Sequence, residues 1–151
     1  MPVQLVEFDF ERDSRLYVEG YCQAFRESYP GVGVTASLEA SFRESLANFE
    51  SLPGLKAFTA LEDEPLGFIV TVLSDFAGIR QMNVESIYVA EEARGAGVAQ
   101  ALLAKAADLA SAKGAMSVRL DVSANNTAAI KAYVAAGFVV TRHQMERLTA
   151  L

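Results

Sequence analysis

Two glycines one residue apart, Gly95 and Gly97, follow Arg94 in the stretch "EEARGAGVA" at residues 91–99. On either side lie a β-like run, "VESIYV", and a helix-like run, "QALLAKAADLA". Glycines at such a turn can take positive φ, or let an oxygen approach the backbone where a Cβ would hinder it. The following helix opens with unpaired N–H groups and the positive end of its dipole. Arg94 adds a fork of donors suited to phosphate oxygens. The chemistry on offer is anion binding, phosphate above all, although an ordinary strand-to-helix turn has the same composition. Two nucleotide-binding motifs fail on the text. A P-loop ends in Gly-Lys-Ser/Thr, whereas Gly97 is followed by Val98 and Ala99. The dinucleotide fingerprint needs a third glycine where Gln100 stands, and a turn after the first strand of a βαβ repeat.

A second stretch, "LDVSANNTAAIKAYVAAGF", places Asn126, Ile130 and Tyr133 near one helical face by i+4 and i+3 spacing. Asn126 can be a helix cap there, and Tyr133 a core aromatic with its hydroxyl at the rim. Among the acids, Glu85 shares strand parity with Ile87 and Val89 and is the candidate general base, against a plain strand carboxylate. Glu91 and Glu92 read as a solvated pair, and Asp121 as structural.

These residues need a scaffold. "VQLVEFD" reads as a strand, and Asp13 caps a helix that runs to Ser28 and ends at "YPGVG". Thr35 or Ser37 starts a second helix with Leu38, Phe42, Leu46 and Phe49 at helical spacing. "LKAFTALE" and "LGFIVTVL" form an antiparallel hairpin around "EDEPLG", and "RQMNVESIYV" is the next strand after "SDFAG". A helix from Val98 to Lys113 turns Val98, Leu102, Ala106, Leu109 and Ala110 inward, with Gly114 as its cap. "MSVRLDV" alternates as a strand, a short helix closes at Gly137, and "VVTRHQMERL" is expected to be the last strand. The order β-α-α-β-β-β-α-β-α-β predicts an α+β sandwich around one mixed, mostly antiparallel sheet, with residues 1–151 as a single domain.

With both stretches in order, the chain resembles the GNAT superfamily of N-acetyltransferases, which use acetyl-CoA. That family's Arg/Gln-x-x-Gly-x-Gly/Ala block reads Arg94-Gly95-Ala96-Gly97-Val98-Ala99 here, with Ala99 the permitted variant. Its second block, an Asn followed by Ala, Tyr and Gly-Phe, reads Asn126, Ala129, Tyr133 and Gly137-Phe138. "MERL" is similar to the family's usual last strand, and the sharp motifs span about residues 84–138. The resemblance implies a GNAT-like α/β/α sandwich with coenzyme A as co-substrate. Pyrophosphate would sit on the N–H groups of Arg94, Gly95, Ala96, Gly97, Val98 and Ala99. The pantetheine arm would lie between "SIYV" and "RLDV", with Ile87, Tyr88 and Val89 along it, Asn126 and Ala129 opposite, and Tyr133 at the sulfur. Tyr133 would be the acid for the departing thiolate, a backbone N–H near Val89 would hold the thioester oxygen, and transfer to the amine would be direct. Cys22, in the first helix, is not favoured as an acetyl carrier. The acceptor pocket would be built by "FRESYPGVGVTASLEASF" and "TRHQM", with Tyr29, Phe25 and Phe42 as an apolar wall or as core, and His143 at its edge or on the surface.

Bulk composition narrows the rest. With 52% hydrophobic and 21% charged residues the chain is globular, and a net charge of −6 disfavours nucleic acid while leaving room for amine ligands. One cysteine and one histidine, Cys22 and His143, exclude an internal disulfide and give no expectation of a metal site. The N-terminal stretch lacks signal-peptide character and no apolar run approaches the ~20 residues of a membrane span, so a cytoplasmic protein without membrane contact is expected. A small-molecule amine is the leading acceptor. Protein N-terminal or lysine acetylation and acyl-CoA binding without turnover are the alternatives, and a homodimer is left open.

Overall fold

The structure is a computed structural model and describes residues 3–150. Strand β1 (Gln4–Glu7) leads into helix α1 (Phe10–Ser28) and helix α2 (Ala36–Ala47), the latter capped by the Thr35 hydroxyl accepting from the Leu38 N–H. Strands β2 (Leu55–Leu61), β3 (Pro65–Phe76) and β4 (Ile79–Val89) follow as an antiparallel meander. Helix α3 (Val98–Ala112), strand β5 (Val118–Leu120) and helix α4 (Thr127–Ala135) complete the elements. The sheet order is β1-β2-β3-β4-β5, antiparallel throughout except for the parallel β4–β5 pair.

Strand β3 reads as apolar on both faces because both are covered. Phe68 and Val70 pack with Leu16, Tyr17, Cys22 and Leu46 under α1 and α2, while Ile69 packs with Val98, Leu102 and Ala106 under α3. Helix α1 approaches closely through Gly20, where a Cβ would lie 2.6 Å from the Phe68 ring and 2.9 Å from Tyr88 Cβ. The β3–β4 hairpin runs further than the sequence suggests. Ala77 and Gly78 both have positive φ, the two-residue turn that matches strand twist, so pairing continues out to Phe76 and Ile79 where "SDFAG" reads as a break.

Two expectations are corrected. Helix α1 starts at Phe10 with Asp9 in the cap position, and Asp13 lies inside the helix, fully buried. Its carboxylate accepts from the Asp9 N–H at 2.9 Å, from Arg12 at 2.7 and 2.8 Å, and from the Thr59 hydroxyl at 2.7 Å. Asp13 therefore ties the helix start, through the Asp9 N–H, to β2. The last strand is the second correction: residues 139–148 form no strand and every one is exposed, the segment pairing with no strand of the sheet.

Candidate functional site

Strands β4 and β5 pair only between Met82–Val84 and Val118–Leu120. Beyond Leu120 the chain leaves the sheet, whereas β4 runs on to Val89, so a gap opens between them. A bulge controls how β4 borders that gap. Val70 sits opposite Ser86 and Thr71 opposite Val84, which leaves Glu85 as an extra residue. Below it, the Met82 N–H donates to Ser117 O on the β5 side at 2.9 Å. Above it, the Ala90 N–H donates to Leu66 O on the β3 side at 2.8 Å. Alternation along an antiparallel strand then turns the N–H and C=O groups of Ile87 and Val89 away from β3, toward the gap. Without the extra residue the opposite parity would face it.

The bulge also corrects the parity assigned to Glu85. Val84, Ile87 and Val89 pack on the α3 face, while Tyr88 packs on the α1 face. Glu85 goes with the α1 face, where its charge adds to the burial that pushes the Tyr21 phenol up.

Past Val89, a single 3-10 turn at Glu91–Ala93 carries the chain to Arg94. Gly95 and Gly97 have φ of 82° and 83°, and a Cβ on either would meet no atom within 4 Å. The glycines therefore serve the left-handed backbone, and the space above the turn is open. Gly97 is the N-cap of α3, its carbonyl accepting from the Ala101 N–H at 3.0 Å. The N–H groups of Val98, Ala99 and Gln100 have no partner within the helix by geometry. Arg94 folds back, its Nε donating to Val89 O at 3.0 Å and its guanidinium lying 5.8 Å from the Tyr88 ring centroid.

The gap widens into a cleft of about 170 Å³, bordered by α1, the upper half of β4, the segment after β5 and α4. Glu85, Ile87, Asn126 and Tyr133 all line it. Asn126 caps α4, its Oδ1 accepting from the Ala129 N–H at 3.2 Å, so that N–H, a sequence candidate for ligand binding, is engaged in the cap. The Asn126 Nδ2 donates to Glu27 Oε2 across the cleft at 3.3 Å. Tyr133 is half-buried with its ring edge toward Phe138 at 6.1 Å. Burial first, and the Glu27 charge second, push its phenol above the usual tyrosine range. It is a protonated donor at neutral pH.

Two cleft acids were not singled out by the sequence. Glu27 stands on the α1 stripe of Tyr21, Ala24 and Ser28, a spacing of three and four that was legible as one face. Asp121, read as structural by alternation, lies beyond the end of β5 and lines the cleft instead. Cys22 is buried in the core under α1, its thiol pushed up by burial, and lines no part of the cleft. Phe42 packs edge-on against Tyr21, and Phe25 lies tilted against Tyr29, which is 57% exposed. His143 lies in the exposed C-terminal segment, away from the cleft. Among the described residues no group of three or more His, Cys, Asp or Glu could hold a metal, and no helix is long and apolar enough to cross a membrane.

A family model described as the acetyltransferase (GNAT) family matches residues 18–138. No curated protein matches the sequence significantly. Among solved structures, a proposed acetyl transferase from Pyrococcus furiosus is 25% identical, with 97% of this chain and 99% of that one covered at a TM-score of 0.77. The glucosamine-6-phosphate N-acetyltransferase of Arabidopsis thaliana is 14% identical over 99% and 100% of the chains, TM-score 0.74. AAC(6')-Iy in complex with the bisubstrate analogue CoA-S-monomethyl-acetylneamine is 20% identical over 100% of both chains, TM-score 0.68. These last two likenesses are of fold.

Proposed function

Since this chain belongs to the acetyltransferase (GNAT) family, we propose that it moves an acetyl group from acetyl-CoA directly to a primary amine of a small molecule. One observation carries the reading: the splayed β4–β5 gap opens beside a left-handed glycine turn at the start of α3, with Asn126 and Tyr133 on the opposite wall. The residues fit the co-substrate. Open space above Gly95 and Gly97 gives the turn an accessible row of N–H groups for pyrophosphate. The outward N–H and C=O of Ile87 and the N–H of Val89 offer a strand edge to the amides of the pantetheine arm, while the Val89 C=O accepts from Arg94. Asn126 would exchange its bond with Glu27 to reach that arm.

When bound, acetyl-CoA supplies an acetyl group activated as a thioester. The chain's own groups handle the protons. An alkyl amine of pKa about 10.4 arrives charged and must lose a proton before it attacks. Glu85, at the bulge and in the cleft, is the carboxylate we assign to draw that proton through a water. As the new C–N bond forms and the C–S bond breaks, the sulfur needs a proton, and the Tyr133 hydroxyl holds one. The backbone N–H of Val89 faces the gap where a thioester oxygen would gain charge. The carboxylates of Glu27, Glu85 and Asp121 around the cleft suit a cationic amine.

The test is a thermal-shift titration with acetyl-CoA, followed by an amine panel read by free-thiol release. At about 100 times Kd, binding adds roughly 2.7 kcal/mol, a rise of about 5–10 °C for a chain of this size. Gly97→Glu should abolish that rise, while Gly97→Ala, which carries the same φ strain without the charge, should keep most of it. No rise with the native protein refutes the donor assignment. Thiol release with short peptides and none with small amines moves the acceptor to protein.

A further inference from the structure

The Glu27 carboxylate is held at both oxygens. Asn126 Nδ2, at the start of α4, donates to Oε2 at 3.3 Å, and Gln23 Nε2, one turn back on α1, donates to Oε1 at 3.3 Å. The first bond crosses the cleft and the second stays within α1. A second hollow, of about 240 Å³, is lined by Glu27, Pro30, Ser123, Asn125 and Asn126. Glu27, Ser123 and Asn126 also line the cleft, so the Glu27–Asn126 bond stands where the two spaces meet. Glu85, Ile87 and Tyr133 line the cleft and not the hollow. Among the described residues, no Lys, Arg or His lines either space.

We propose, on the acetyltransferase reading above, that Glu27 binds the second, non-reacting ammonium of a diamine acceptor, and that acetyl-CoA frees it for that role by drawing Asn126 away. The Oδ1 of Asn126 is engaged by the Ala129 N–H, so Nδ2 is its donor for the pantetheine arm, and turning that group into the gap takes it off Glu27. Gln23 still holds Oε1, so the carboxylate keeps its place. Its freed Oε2 then meets no cation from the lining of either space. The reacting amine cannot supply one, because it must be neutral to attack and it leaves as an amide. A charge that lasts through the reaction has to sit elsewhere on the acceptor. A second ammonium in the hollow meets that need with a charge-assisted hydrogen bond, and the product is a mono-acetylated diamine with its other ammonium intact. By linkage, donor and diamine each raise the other's affinity by the same factor.

The experiment titrates straight α,ω-diaminoalkanes of increasing length into the full chain by calorimetry, alone and saturated with coenzyme A, each beside the monoamine of the same length. The best diamine should bind the loaded protein about tenfold or more tighter than its monoamine. It should also bind the loaded protein about fivefold or more tighter than the unloaded one. Glu27→Gln should bring the first ratio to about one. Asn126→Ser keeps an oxygen to cap α4 but has no amide to reach Glu27, and it should bring the second ratio to about one. A native ratio near one in either comparison overturns the proposal. So does a ratio that persists in its variant, or an amino alcohol of the same length that binds the loaded protein as tightly as the diamine. The acetyl-CoA thermal shift separates the two failures. With a shift, these results sink the role of Glu27 alone; without one, the donor assignment falls with it.

Discussion

Tyr133 and Glu27 face each other across the cleft, one on α4 and one on α1, and the carboxylate also holds the Asn126 amide. Their chemistry is separable. Tyr133→Phe keeps the ring against Phe138 and removes only the proton, so kcat should fall on the order of 100-fold while the acetyl-CoA thermal shift stays intact. An unchanged kcat would remove Tyr133 as the acid. Glu27→Gln keeps a hydrogen-bonding partner for Asn126 but removes a negative charge that favours the neutral phenol. The Tyr133 pKa should then drop, and because the protonated form is the active one, the alkaline limb of the kcat profile should move to lower pH. A profile that stays in place would mean that limb belongs to another group. Asn126 and Tyr133 were legible from their spacing in "NNTAAIKAY". Glu27 was legible only as part of one face of α1; its bond to Asn126, 99 residues away, is recorded in no local pattern.

Strand β4 depends on one extra residue. The bulge at Glu85 is set by pairing with β3, Val70 opposite Ser86 and Thr71 opposite Val84, and it decides which backbone groups border the gap. Sequence alternation alone placed Glu85 with Ile87 and Val89, since period-2 reading assumes an unbroken strand. Helix α1 gives a second case. Gly20 reads as a weak point in a helix, yet it is buried where α1 crosses Phe68 and Tyr88. Gly20→Val would drive a branched side chain into a ring already stacked on Tyr17 at 3.9 Å and into the Tyr88 Cβ. The expected cost is about 2–3 kcal/mol, read as a lower urea midpoint with unchanged slope. A midpoint equal to that of the native protein would show that α1 can slide on the sheet. The cleft would then lack a fixed wall.

At the scale of the whole molecule, one buried and one half-buried tyrosine, Tyr17 and Tyr21, tie stability to alkaline pH. Burial raises the Tyr17 phenol, with Asp13 adding to it and the Thr59 hydrogen bond opposing it, and burial with Glu85 raises Tyr21. Below about pH 10, the unfolded tyrosine pKa, folded and unfolded states both hold these protons. Above it the unfolded chain ionises while the folded core stays neutral, so stability falls as pH rises. Tyr17, which is fully buried, contributes a slope of about 1.4 kcal/mol per pH unit until its folded pKa is reached. Urea unfolding at pH 8, 10 and 11 checks this, and Tyr17→Phe should flatten the alkaline fall. An equally steep loss in that variant would assign the fall to other groups.

The amino-acid sequence by itself determined the element order from β1 to α4, the glycine turn at the start of α3 and the Asn–Tyr pairing on α4, because each rests on local spacing, periodicity or conformational preference. Tertiary structure alone decided the bulge at Glu85, the position of Asp13 as a tie between α1 and β2, the place of Glu27 and Asp121 in the cleft, and the fate of residues 139–148. All four depend on which strands and helices meet. A strand-like segment becomes a strand only where it pairs with another, and that is a property of three-dimensional neighbours.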